Sequence, residues 1–281
     1  MILVTGATGN VGNQVARILA RSGAYVRVLA RNPDRAAFPS DLDVVRGDFT
    51  DPETLARASD GADALFLMLP AMDSRLENAA GRVAPNVGRV VFLSSALASI
   101  DQSGTNPIAQ RHIAVENAIQ AAPAWTVIRP GYFAANALRW WLPQLRTSDT
   151  LRWPFANARF APVHERDIAE IAVLGLTTGD HAGQTYTITG PLAITAAEQL
   201  AAIGASTHRT LVYDEVDREI ARETLSFLPP PVLEGILASW QRATVDPPFV
   251  TDVAARVLGK PARSFAEWAT DHATAFAKSA A

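Results

Sequence analysis

Short apolar runs alternate with amphipathic segments through the first 130 residues. The runs at 2–4, 25–29, 43–45, 64–69, 89–93 and 125–128 have strand length. Several are apolar throughout rather than alternating, as strands are when helices cover both faces of a parallel sheet. Between the first two runs, Val11, Val15, Ile18 and Leu19 fall at i, i+4, i+7 and i+8, one stripe of a helix that Gly23 stops. Asp51-Pro52-Glu53 supplies a cap, a first-turn proline and a first-turn acid for a second helix. A third spans 106–121, with Ile108, His112, Val115 and Ile119 near one face. The pattern predicts a Rossmann-type, doubly wound parallel α/β sheet.

Beyond Pro130 the alternation fades. Residues 132–159 are rich in aromatics, with Trp140, Trp141 and Trp153, and show no clean strand period. Residues 184–189 read as a strand and 210–213 as a short one, while prolines at 229–231 and 247–248 punctuate helices. Thr195 with Glu198, and Ser264 with Glu267, are capping boxes that each open a helix. No repeat and no long linker interrupts the chain. The expected organisation is a nucleotide-binding part over 1–130 and a smaller C-terminal α/β substrate-binding cap over 131–281, packed on the first.

Composition narrows the function classes. Of 281 residues 48% are hydrophobic, and 25 basic side chains face 28 acidic ones for a net charge of −3. Disorder, collagen and coiled coil are excluded, and no basic stretch suggests a nucleic-acid partner. No apolar run reaches about 18 residues and no basic segment precedes the first strand, so a cytoplasmic protein without membrane span or signal peptide is expected. The absence of cysteine removes disulfides and thiolate chemistry. His112, His164, His181, His208 and His272 show no paired spacing, so no metal site is expected. Only Lys260 and Lys278 are lysines, which leaves 25 − 2 = 23 arginines.

The segment Thr5-Gly6-Ala7-Thr8-Gly9-Asn10-Val11-Gly12 lies between the first strand and the first helix. In that position Gly6 permits a tight turn, Gly9 lets backbone approach a pyrophosphate and Gly12 allows helix to touch strand. The helix start then offers N–H groups and partial positive charge to phosphate. Gly6, Thr8, Gly9, Asn10, Val11 and Gly12 are therefore read as the dinucleotide loop. An acid at the end of the second strand would bind a ribose 2′-hydroxyl, whereas an arginine neutralises a 2′-phosphate. Arg31 stands there, 19 residues after Gly12, and points to NADP(H); a solvated surface arginine is the alternative.

The Gly-x-x-Gly-x-x-Gly spacing resembles the short-chain dehydrogenase/reductase superfamily. Residues 28–33, 47–51, His112-x-x-x-Glu116, 125–130, 163–169, 258–261 and 264–268 narrow the resemblance to its NmrA-like atypical branch. That branch includes NADPH-dependent quinone reductases, triphenylmethane-type reductases and redox sensors without catalysis. The resemblance places adenine contacts at Asp48 and Phe49, although Asp48 also reads as a plain turn residue. Leu67, Leu69 and Pro70, then Ser94, and then Pro130 close the fourth, fifth and sixth strands, at the carboxyl ends where such sheets bind ligands.

The superfamily's Tyr-x-x-x-Lys pair is missing: four residues after Tyr25, Tyr132, Tyr186 and Tyr213 stand Leu29, Asn136, Gly190 and Asp217. His112 lies near the corresponding position. It is read either as a proton donor, from its unperturbed pKa near 6.5, or as a ribose, cap or core hydrogen bonder. Glu116 either orients the imidazole or is a surface carboxylate; Asp167 either caps its helix or faces substrate. A small-molecule acceptor is expected between Leu69-Pro70 and Tyr132-Phe133, with Trp140, Trp141, Trp153 and Phe155 as candidate walls; core packing explains these aromatics equally well. Two functions follow: an NADPH-dependent oxidoreductase of a planar electron-poor acceptor such as a quinone or enone, or a non-catalytic NADP(H) redox sensor acting through a protein partner.

Overall fold

The computed structural model describes residues 1–33, 38–40, 42–69, 75–100, 104, 106–246 and 248–278. These form two compact units. The first comprises Met1–Gly131, Glu165–Ile188 and Val253–Lys260; the second comprises Tyr132–His164, Thr189–Asp252 and Pro261–Ala281. The chain thus leaves the first unit after Gly131 and returns to it twice.

The opening passage holds β1 (Ile2–Thr5), α1 (Asn10–Arg21), β2 (Val26–Ala30), β3 (Asp43–Arg46), α2 (Pro52–Ser59) and β4 (Ala64–Met68). It continues through α3 (Leu76–Val83), β5 (Arg89–Leu93), α4 (Leu97–Ile100), α5 (Pro107–Ile119) and β6 (Ala124–Pro130). Next, in the second unit, come α6 (Asn136–Trp140), α7 (Leu142–Leu145), β7 (Thr150–Trp153) and β8 (Arg159–Phe160). The chain returns for α8 (Glu165–Thr177) and β9 (Gln184–Ile188). The second unit then adds β10 (Ile194–Thr195), α9 (Ala196–Thr207), β11 (Val212–Glu215), α10 (Arg218–Thr224) and α11 (Pro230–Arg242). Finally α12 (Val253–Leu258) joins the first unit and α13 (Phe265–Asp271) the second.

The first unit is built on a seven-stranded sheet of order β3-β2-β1-β4-β5-β6-β9, parallel at every pairing. The order reverses between β1 and β4, the switch point at which doubly wound sheets bind nucleotides. Alternation along the strands divides the core. Leu3, Leu65, Leu67, Val90, Phe92 and Val127 pack with Leu55 of α2, Leu76 and Ala80 of α3, and Val115 and Ile119 of α5. On the opposite face α8 packs against α1, β4, β5 and β6. There Gly175 comes so close that an added Cβ would meet Val91 Cγ2 at 2.9 Å. Each fully buried Leu or Phe in such a sheet contributes about 1.5–3 kcal/mol.

The predicted strands lie within two residues of the observed ones. Tyr25 falls outside β2 and is 58% exposed, and Ile108 at the start of α5 is exposed rather than packed on the sheet. Gly23 stops α1 with φ +79°, and Asp51 accepts a hydrogen bond from Thr54 N–H at 3.1 Å. Both capping boxes form. Helix α3, with Leu76, Ala79, Ala80 and Val83 buried, has the right spacing, but its small residues weaken the pattern.

In the second unit the aromatic stretch resolves into α6, α7, β7 and β8. Its strands carry no continuous apolar run: β7 pairs in parallel with β11, and β8 makes a two-residue antiparallel ladder with β10. The short strand expected at 210–213 is observed as β11, Val212–Glu215. Trp141, Leu145, Leu151, Trp153, Leu200, Leu237, Trp240 and Trp268 build this unit's core.

Candidate functional site

The glycine segment makes the turn from β1 into α1. Gly6 has φ +64°, a left-handed conformation that favours glycine, and its N-terminal neighbour Thr5 is tied down by donating to Phe66 O at 2.9 Å. Gly9 N–H closes the turn on Gly6 O at 2.9 Å. A Cβ at Gly12 would stand 2.3 Å from Gly6 O, so helix and loop backbone touch at that residue. Thr8, Gly9 and Asn10 are exposed, and no side chain caps α1 or puts an acid in its first turn. An uncapped helix start beside a glycine cradle fits the pyrophosphate of a dinucleotide. Val11 turns inward and is buried.

The neighbouring strand ends lie at the same edge of the sheet. Arg31 follows β2 directly and is exposed. Asp48, two residues after β3, accepts from Thr50 N–H at 3.0 Å and Thr50 Oγ1 at 2.8 Å, and Arg75 lies 3.8 Å from its other oxygen. It is a turn residue whose side chain stays partly exposed. Phe49 packs in the core among Leu67 and Leu76, and Leu67 is fully buried. Leu69 is half-buried at the end of β4, where Met68 lays its thioether over Gly6. Pro70 lies outside the described residues.

The carboxyl ends of β5 and β6 carry a buried polar network. Period two places Ser94 on the face of Phe92, and Arg129 on the face of Val127, so both meet α5. Glu116, on the inward stripe of α5 with Val115 and Ile119, is 5% exposed. Arg129 grips it with both Nε, at 2.9 Å, and Nη2, and Ser94 Oγ donates to its Oε1. Arg129 Nη1 also donates to Ser99 Oγ at 2.9 Å. The surface-carboxylate reading of Glu116 is therefore wrong. In the sequence only the register of Arg129 with Val127 marks it as inward-facing, toward this network. Ser95, by contrast, only accepts from Leu97 N–H at 3.3 Å within its own turn.

His112 sits one turn before Glu116, with Nδ1 3.4 Å from Ser94 Oγ and its ring 6.0 Å from that of Phe92. Burial lowers its pKa from 6.5 to about 4; Glu116 opposes the shift and Arg111 adds to it. The ring is uncharged at neutral pH, so an imidazolium donor is not available there. Pro130 is buried, and its carbonyl accepts from Ala96 N–H at 2.9 Å.

The second unit holds the aromatic candidates. Tyr132 stacks on Phe160 at 4.3 Å and meets Trp140 edge-on at 6.1 Å. Trp140, Trp153 and Trp240 form a cluster with centroids 5.0–6.3 Å apart. Trp141 is 1% exposed and belongs to the core, while Trp140, Phe133 and Phe155 are partly accessible. Burial raises the Tyr132 pKa above its ordinary value, so its hydroxyl stays protonated. Asp167, in the first unit, is a buried acid in the opening turn of α8, where it complements the helix dipole.

Among the described residues no group of three or more His, Cys, Asp or Glu is placed to hold a metal ion, and no helix is long and apolar enough to cross a membrane.

Comparison with known proteins places these features in a family. Residues 6–140 match a family described as NAD(P)H-binding. The chain is 38% identical over 283 residues to the (4-alkanoyl-5-oxo-2,5-dihydrofuran-3-yl)methyl phosphate reductase of Streptomyces griseus, covering 99% of each chain. It is 30% identical over 286 residues to the NAD(P)H azoreductase of Xenophilus azovorans, covering 98% of this chain and 99% of that one. The fold matches that of Citrobacter sp. triphenylmethane reductase complexed with NADP(H), with a TM-score of 0.78, 21% identity, and 97% and 100% of the two chains covered. The chain belongs to the NAD(P)H-binding family of these reductases, consistent with the NmrA-like atypical branch of the short-chain dehydrogenases/reductases, and is an NAD(P)H-dependent oxidoreductase.

Proposed function

We propose that the protein is a cytoplasmic, NADPH-preferring reductase of small, planar, electron-poor acceptors, with activated alkenes as the leading class and quinones beside them. The observation that carries the reading is the carboxyl edge of β1 to β6, where the glycine turn, Arg31, Asp48, Leu69, Ser94 and Pro130 follow successive strands of one unit. Gly6, Thr8, Gly9, Asn10, Val11 and Gly12 hold the pyrophosphate, Arg31 the 2′-phosphate, and Asp48 and Phe49 the adenine side. Leu69, Ser94 and Pro130 line the nicotinamide side, with Leu67 packed in the core behind them. Bound NADPH supplies the hydride.

The acceptor class is supported by the Streptomyces relative, whose named substrate is a dihydrofuranone ring with a C=C bond bearing two acyl groups. Such an acceptor takes hydride with little acid assistance. That suits a chain without Tyr-x-x-x-Lys and with an uncharged His112. Tyr132, Phe133 and Trp140, which are partly accessible, supply flat apolar surface for it, while Trp153 is buried behind Trp140, and water supplies the proton.

The test is NADPH oxidation followed with 2-acylbutenolides, simple enones, quinones and triphenylmethane dyes. Turnover fastest with the doubly acylated alkene is expected. Tight, redox-selective NADP(H) binding without turnover of any acceptor would replace this reading with that of a sensor.

A further inference from the structure

Hydrogen-bond polarity around His112 is fixed by its neighbours. Arg129 has donors only, and a carboxylate held by two of its N–H bonds accepts only. Glu116 therefore takes the single hydroxyl proton of Ser94. What remains on Ser94 Oγ toward His112 is a lone pair, so the contact at Nδ1 is satisfied when Nδ1 carries the proton. In a neutral imidazole the other nitrogen is then an acceptor. Among the described residues Nε2 has no hydrogen-bond partner, and it is not one of the sealed, unpartnered nitrogens.

We propose that the Arg129–Glu116–Ser94 chain locks His112 in the Nδ1–H tautomer and presents Nε2 as an acceptor for a ribose hydroxyl of the bound dinucleotide. The proposal rests on the reading of the first unit as the NADPH site. An accepting nitrogen complements a sugar hydroxyl, which donates. It does not complement the carbonyl oxygens of a quinone or acylbutenolide, which only accept. His112 is thereby a cofactor-binding residue, and Ser94, Glu116 and Arg129 are its positioning residues. The oxyanion of a reduced acceptor obtains no proton from this ring.

Nitrogen-15 correlation spectra of the full-length protein labelled at histidine read the tautomer directly, with the His112 signals assigned by their loss in His112→Gln. At pH 7 the expected pattern has the proton on Nδ1 alone, and Ser94→Ala, which removes only the hydroxyl, replaces it with a mixture of tautomers. Adding NADPH should shift Nε2 while leaving Nδ1 protonated. Calorimetric titration should give a Kd for NADPH raised roughly two- to tenfold in His112→Phe, the worth of one hydrogen bond, and restored in part by the amide oxygen of His112→Gln. An Nε2–H tautomer or an imidazolium at pH 7 would overturn the proposal, as would unchanged NADPH affinity in His112→Phe. Failure of the wild-type protein to turn over any acceptor, with these spectra and affinities as expected, would overturn the reductase reading and leave the tautomer assignment standing.

Discussion

Arg31 concentrates cofactor choice in one side chain. A charge-assisted contact with a phosphate is worth about 1.5–3 kcal/mol, one to two decades in affinity. Arg31→Ala should therefore raise the Kd for NADPH about ten- to a hundredfold while leaving that for NADH within about twofold, as measured by calorimetry. Equal losses for both would remove Arg31 from discrimination. His112 makes a different single-residue prediction. Its folded-state pKa of about 4 lies below the 6.5 of an exposed ring, so between these values the unfolded chain binds the extra proton. Stability then rises with pH across that window: the loss is complete near pH 4 and absent above about 6.5. Urea unfolding at intervals from pH 4 to 7.5 should show a shallower acid-side decline in His112→Asn than in the wild type.

At the scale of elements, the second and third glycines of the loop differ in what surrounds them. A Cβ at Gly12 would collide with Gly6 backbone at 2.3 Å, whereas one at Gly9 would meet the same oxygen at 3.3 Å. Gly12→Ala has to pry α1 from the turn, so NADPH binding should be abolished and the melting temperature lowered. Gly9→Ala should keep the fold and weaken binding only. Circular dichroism and calorimetry on the pair check both halves. This turn was legible in the sequence because glycine is required at fixed offsets between a strand and a helix. The strands of the sheet were legible because burial on both faces writes itself as continuous apolar runs. Glu116 and Arg129 were harder: a charge on an inward stripe looks like a surface residue until its partner, 13 positions away, is seen on the adjacent strand. The two-residue strands β8 and β10 were hidden by brevity, and β7 by its mixed Thr-Leu-Arg-Trp sequence, which has no continuous apolar run.

The whole molecule is interleaved. Helix α8 and strand β9 arrive after the chain has left the first unit, yet β9 extends its sheet beside β6 and α8 covers one face of β4, β5 and β6. A fragment of residues 1–131 lacks both and exposes Val91 and the edge of β6. It should be aggregated or partly unfolded on size exclusion and in amide exchange, even though it contains the entire loop, Arg31 and the Glu116 network. A folded, NADPH-binding fragment would contradict this dependence. The same division has an optical side. Of six tryptophans only Trp125 lies in the first unit, while Trp140, Trp141, Trp153, Trp240 and Trp268 lie in the second. With three of those rings packed 5.0–6.3 Å apart, within energy-transfer range, intrinsic ultraviolet emission reports mainly on the aromatic unit, and the sheet that carries the glycine turn contributes a single indole.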